Sequence, residues 1–239
     1  MNSTFARLSL IALTTVAVTA LNAQPEGAPP PGGPLPPGGP LPTLATPIKE
    51  LNQVRSGDFQ LDPAHGRVIW SLSHHGYSRF SSMLPKNEGT LHLDAKNIAS
   101  SKLDVTLHMD KVLTGVAAEH FDKLLKSESI FDTAKYPTAQ FKSTRVEQVA
   151  PNKLKIRGDL TFRGVTKPLA IDATFNQAGD VPGSYVVGFD GTATLKRSEY
   201  GASFLLPSVG DEVQLTIEAE FKKPGKMAMP ARSGQPPSP

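Results

Sequence analysis

The sequence predicts an all-β domain, and three observations carry that prediction. Apolar residues recur at every second position through most of the stretch from Gly57 to Lys223, only one short segment has helical spacing, and the chain has no cysteine. Period two puts alternate side chains on opposite faces of a strand, so each run reads as a half-buried strand. Without cysteine there is no disulfide framework and no thiolate chemistry, so stability must come from a packed core.

Taken in order, the first segment, Met1 to Ala23, has one basic residue, Arg7, a mostly apolar run from Leu8 to Leu21 and small residues behind it. That layout predicts a secretory signal peptide cut after Ala20 or Ala23, and with it a periplasmic or secreted protein. The apolar run falls short of the roughly 20 residues that cross a bilayer comfortably. Residues 24–56 open with a run dominated by proline and glycine, including Pro29-Pro30-Pro31-Gly32-Gly33-Pro34. So few apolar groups cannot offset the entropy of ordering, which predicts a disordered, semi-stiff linker. Residues 224–239 predict a similarly disordered tail.

Between these ends, residues 57–223 read as one domain. Val68, Trp70 and Leu72 alternate with polar neighbours, broken by Ile69, and Leu91 and Leu93 alternate with Thr90, His92 and Asp94. Leu103, Val105, Leu107 and Met109 repeat the pattern. Further runs are Ala139-Phe141, Leu154-Ile156, Leu160-Phe162, Leu169 to Phe175, Phe189 to Leu195 and Val213 to Phe221. Arg163-Gly164 between two runs fits a hairpin turn with positive φ, and Pro168 fits a strand start or edge. The one helical pattern, Gly115 to Lys126, puts Ala117, Phe121, Leu124 and Leu125 on one side, suited to covering one end. Eight or nine strands with one apolar face stack as a sandwich or close as a barrel, and composition does not choose. An eight-stranded barrel is about wide enough inside to be filled by side chains or to hold one small ligand, so the choice bears on function.

Several motifs, in order, resemble the YceI-like family of exported, lipocalin-like barrels, described as polyisoprenoid-binding. Phe59-Gln60-Leu61-Asp62-Pro63 with His65 is similar to its opening strand, and Val68-x-Trp70-x-Leu72-x-His74 to its strand ending in histidine. Gly89 to Asp94, Asp122 to Asp132 followed by Tyr136 to Phe141, Gly158 to Pro168, and Leu195 to Gly201 leading to Val209-Gly210-Asp211-Glu212-Val213 resemble its other elements. Leu124, Ile130 and Ser82 depart from the family's usual His, Phe and Gly, and all three are expected around one barrel mouth. The resemblance implies a single antiparallel barrel of about eight strands with one short helix and a tube-shaped cavity.

The residues expected to line that cavity are Trp70, Leu72, Leu91, Leu93, Leu107, Met109, Phe141, Phe162, Phe175 and Phe189, on inward parity. Each of them could equally fill a solid core. His74, on inward parity, could donate a hydrogen bond to a ligand head group near the mouth or be a buried histidine satisfied by backbone, and Arg197 and Arg163 could pair with an anionic head group or lie solvated near turns. The implied function is an exported protein that sequesters or carries an amphiphilic lipid, isoprenoid or quinone-like, with a long apolar tail; the alternative is a structural or stress-related barrel filled by its own side chains.

The formal charge of +3 is spread without a dense basic block, which argues against nucleic acid and leaves transient contact with a membrane surface open. Pairing into a homodimer is equally open. Outward His92 and His108, with Asp94 and Asp110 nearby, are the best arrangement for a weak metal site, against a solvated surface as the plainer reading. No His-Glu-x-x-His, phosphate loop or Gly-x-Ser-x-Gly elbow occurs, so the sequence calls for no cofactor, no metal and no catalysis.

Overall fold

A computed structural model of the protein describes residues 46–115 and 119–226. The signal peptide, most of the linker and most of the tail expected from sequence lie outside the described residues. No described helix is long and apolar enough to cross a membrane.

Among the described residues, ten antiparallel strands form one sheet: β1 (Gly57–Leu61), β2 (Arg67–His74), β3 (Ser78–Leu84), β4 (Asn87–Leu93), β5 (Lys102–His108), β6 (Thr138–Ala150), β7 (Lys153–Phe162), β8 (Val165–Val181), β9 (Ser184–Lys196) and β10 (Glu212–Pro224). Their order is β1-β4-β5-β6-β7-β8-β9-β10-β2-β3, and an added pairing of β1 with β10 closes eight of them, β1 and β4 to β10, into a barrel. Closure depends on β10, which pairs with β9 along its whole length and divides its other edge between two strands. Gln214 to Glu218 face β2, and Phe221 and Lys222 face β1. The free side of β3 is tied to the loop after β5 by mutual backbone hydrogen bonds between Met83 and Leu113, 3.1 and 2.8 Å.

Local chemistry sets the turns. Arg163 and Gly164 link β7 to β8 with φ of 50° and 74°, the two positive angles a type I′ hairpin needs. A Cβ on Gly164 would also meet the Tyr136 ring at 2.7 Å, so glycine is required there twice over. Pro168 pairs with Asp159 of β7 where β8 has not yet met β9, whose pairing begins at Asp172, so its missing N–H interrupts no ladder.

Three expectations change. The count of eight or nine strands omits β3, whose Ser-rich sequence hides its alternation. Met109 lies past the end of β5 in a 3-10 turn, Met109–Lys111, although its side chain is buried as expected. The boundary at Gly57 falls too late: Ile48 bridges Ala178, and Leu51 and Val54 are buried in the core. Asn152 fixes that segment by accepting from the Leu51 N–H (3.0 Å) and donating to the Lys49 carbonyl (2.7 Å).

The two barrel ends differ. One carries the β6–β7 and β8–β9 turns and is plugged by Leu51, Phe59, Phe175, Tyr185 and Val187, none more than 2 % exposed. The other carries the β2–β3 and β7–β8 turns, the loop from Gly201 to Asp211, and α1 (Glu119–Lys126). Phe121, Leu124 and Leu125 of α1 turn into the barrel, as the helical spacing predicts.

Candidate functional site

Between the plug and the helix the barrel encloses a cavity of about 360 Å³, within the usual range of ligand pockets, roughly 300–1,000 Å³. Its wall is almost wholly aliphatic and aromatic. Leu103, Leu107, Phe189, Leu195, Leu215 and Ile217 line it from the interior, yet each stays partly accessible. Side chains on the core face of a closed sheet are buried when the core is filled; here they border open space.

Every cavity-lining residue expected from sequence is found on that wall except one. Trp70, Leu72, Leu91, Leu93, Leu107, Met109, Phe141, Phe162 and Phe189 all line it. Phe175 does not. It has the inward parity of β8 but lies too far along the strand, at a register shift between Phe175 and Gln177, where it is 2 % exposed and packs edge-on against Phe189 (5.6 Å) beneath the cavity floor.

At the mouth, His74 lines the cavity, bridges Val209 through its backbone and lies edge-on to His75, with ring centroids 4.5 Å apart. Arg197 also reaches the wall, but as a structural clamp. It is 7 % exposed, and its Nε, Nη1 and Nη2 donate to the carbonyls of Gly210 (2.8 Å), Ala202 and Val209 (2.7 Å). Burial lowers its pKa from the ordinary arginine value, against the opposing charge of Asp211. Arg163 is further from the expected role, because its Nη1 is spent on the carbonyls of Glu128 (2.8 Å) and Ile130 (2.6 Å) and it does not touch the cavity.

An aromatic chain missed in the sequence frames the upper cavity. Trp70 meets Phe80 at 5.7 Å and Phe131 at 5.8 Å; Phe80 stacks on Phe121, and Phe131 leads through Phe162 to Tyr200. Burial pushes the Tyr200 hydroxyl up to about 12. Two of the departures from the family pattern, Leu124 and Ile130, line the cavity at this mouth, and the third, Ser82, is buried with its hydroxyl on the Leu113 carbonyl (2.6 Å).

The metal arrangement weighed for His92 and His108 does not form. His92 pairs with Asp58 (2.7 Å) and His108 with Glu88 (3.0 Å), and the β4–β5 register sets the two rings at opposite ends of the strand pair. Among the described residues, Asp62, His65 and Glu220 cluster on the barrel exterior, where Asp62 is already bonded to His65 (3.0 Å) and paired with Lys222 (3.3 Å).

Known proteins match this architecture. The profile of the YceI-like domain matches residues 59–221. A UPF0312 protein of Pseudomonas syringae pv. tomato is 37 % identical over 184 residues, 75 % of this chain and 95 % of the relative. The crystal structure of the Campylobacter jejuni YceI protein superposes with a TM-score of 0.53 at 25 % identity, covering 61 % of this chain and 86 % of that one. A polyisoprenoid-binding domain from Saccharophagus degradans, implicated in plant cell wall breakdown, shares the fold at 12 % identity and a TM-score of 0.52, over 71 % of this chain and 100 % of its own. With the family profile spanning the barrel from its first strand to its last, the chain belongs to the YceI-like family.

Proposed function

We propose that the protein is exported and carries an amphiphilic lipid, isoprenoid or quinone-like, with its apolar tail inside the barrel and no chemical step. The observation that carries this reading is the hollow apolar interior, in which inward-facing leucine, isoleucine and phenylalanine side chains stay accessible. Each methylene buried there contributes about 0.8 kcal/mol, so a dozen contribute on the order of 10 kcal/mol. Association costs of about 4–15 kcal/mol offset much of that, which suits reversible loading. The polyisoprenoid-binding domain of the same fold supports the ligand class, and the amino-terminal charge and apolar pattern support export. Tyr77, Phe204 and Leu205, exposed at the mouth end, suit loading from a membrane surface.

The test is mass spectrometry of the organic extract of protein purified natively from an exporting bacterial host, beside Trp70→Glu and Leu107→Glu variants. A stoichiometric amphiphile that disappears in the variants is expected. An empty barrel of equal stability would sink the carrier reading.

A further inference from the structure

Five large apolar side chains are exposed among the described residues, and three of them stand at the mouth end. Tyr77 (93 % exposed) lies in the β2–β3 turn, and Phe204 (37 %) and Leu205 (49 %) lie in the loop from Gly201 to Asp211. Backbone hydrogen bonds join the two segments into one platform. The His75 N–H donates to the Ser208 carbonyl and the Gly210 N–H to the Ser73 carbonyl, both at 2.8 Å. Phe204 and Leu205 also line the cavity, so its apolar surface continues to the outside of the protein at this edge.

The backbone that displays Leu205 is strained. Its φ is 59°, in the left-handed region where a bulky side chain is an outlier, and its carbonyl is fixed by the Val209 N–H at 2.8 Å. Strain of this kind persists where the surrounding structure imposes it, and it gathers at functional positions. About half of this leucine faces water, so core packing alone does not explain the conformation.

Charge identifies what the platform fits. Residues 71–80 and 201–210 hold no acidic side chain and one arginine, Arg79, whose Nε and Nη2 donate to the Ser71 hydroxyl (3.2 and 2.7 Å). Arg79 stands two residues behind Tyr77, about 7 Å of extended chain. An apolar tip backed by a cation at that depth matches a bilayer surface, where apolar side chains sink about 5–10 Å into the head-group boundary and tyrosine is favoured. The α1 side of the mouth carries mixed charge, with Asp122 accepting from the Thr114 hydroxyl (2.8 Å) and Lys126 partly exposed, so the charge-poor edge is the one that enters.

We infer that the mouth docks on a lipid bilayer through this platform, with Tyr77, Phe204 and Leu205 in the head-group layer and Arg79 at the phosphates. The docking rests on the carrier reading and gives it a route: a lipid leaves the bilayer beside Phe204 and Leu205 and reaches the cavity without crossing water.

The experiment measures partition of the protein, purified from the exporting host, onto vesicles of phosphatidylcholine alone and with phosphatidylglycerol added. Leu205→Asn removes the apolar tip but keeps a residue type that tolerates the left-handed backbone, so the loop is preserved. It is expected to weaken partition about tenfold, and Tyr77→Ser by a similar factor. Phosphatidylglycerol should tighten the unmodified protein about fivefold, the effect of one cation beside an anionic surface, and Arg79→Gln should remove that gain. Val149→Ser, an exposed apolar residue of β6 near the plugged end, should change nothing. No partition, an equal loss in Val149→Ser, a Leu205→Asn variant that binds like the unmodified protein, or a phosphatidylglycerol gain that survives Arg79→Gln overturns the inference, while an amphiphile in the native extract leaves the carrier reading standing. Self-association that Leu205→Asn abolishes, without vesicle binding, overturns it as well and assigns the patch to a second copy of the chain. An extract without amphiphile overturns the carrier reading whatever the vesicles show.

Discussion

The two ends of the barrel solve opposite problems with similar side chains. At the plugged end Phe59 and Tyr185 are 0 % exposed, their rings 6.2 Å apart, with the Lys223 ammonium 4.3 Å over Phe59 and the Arg55 guanidinium 4.2 Å over Tyr185. Lys223 also donates to the Ser56 carbonyl (2.7 Å), and burial together with Arg55 lowers its pKa below the usual lysine value. Aromatic mass here excludes solvent and ties the strand ends together. At the mouth, aromatics of the same type frame a space they do not fill, and a buried arginine, not a ring stack, holds the loop from Gly201 to Asp211. The two interiors the sequence allows, a solid core and a hollow one, therefore each describe a different length of one barrel. Such a division lets the plugged half supply stability while the other half stays hollow.

Truncating one aromatic or aliphatic side chain in each half tests this division most strongly. Phe59→Ala opens a void in close-packed surroundings and is expected to cost about 3–5 kcal/mol. Leu215→Ala removes atoms that already face open space, so less contact is lost and the expected cost is about 1–2 kcal/mol. Urea midpoints at unchanged m-value measure both. Equal costs would mean that the interior is uniformly packed and the division is wrong.

Arg197→Ala comes next, at about 3 kcal/mol, because three carbonyls lose a charged donor together. The comparison predicts where the loss appears. Hydrogen exchange should rise across residues 201–210 while amides beside Phe59 and Tyr185 stay protected. Arg197→Lys should restore only part, since a single ammonium lacks the planar fork that spans Ala202, Val209 and Gly210. Uniform loss of protection would show that the loop and the plug are one cooperative unit.

Much of this arrangement was legible because strand parity is local. Alternation alone assigned Trp70, Leu72, Leu107 and Phe141 to the interior, and the cavity wall contains them. Parity gives the face of a residue but not its depth, which is why Phe175 was expected on the wall and lies under the floor. Arg197 was singled out by residue type, yet its three partners lie in a loop whose path depends on tertiary contacts, so it read as a ligand contact. Phe80 escaped notice because its strand, Ser-Arg-Phe-Ser-Ser-Met-Leu, presents too few apolar positions for a period to show. Leu51 and Val54 were masked by the proline-rich run before them, and their burial depends on Asn152, about a hundred positions away, a distance no local pattern spans.

The smallest expected effect is a pH dependence that also separates the two ends. Asp211 accepts from the N–H of Ser198 (2.8 Å) and from its hydroxyl (2.7 Å). Burial opposes ionisation of this carboxyl, but those two bonds and the charge of Arg197 outweigh it and hold its pKa below the usual aspartate value. A carboxyl depressed in the folded state contributes stability above its unfolded pKa, near 3.9, and loses it as the pH falls through the folded value. Asp180 at the plugged end is depressed in the same direction by its hydrogen bond to Arg55, so acid acts on both with one sign. Salt distinguishes them. Arg55 and Asp180 are a pair of opposite ions with side chains 36 % and 15 % exposed, so added salt weakens their attraction, whereas the Asp211 bonds run to a neutral serine. Acidification from pH 5 to 3 is therefore expected to loosen residues 197–211 by hydrogen exchange equally at low and high salt, and Asp211→Asn to remove that response. If added salt alone reproduces the loosening, the mouth is held by surface charge and not by the serine bonds and the arginine clamp behind them.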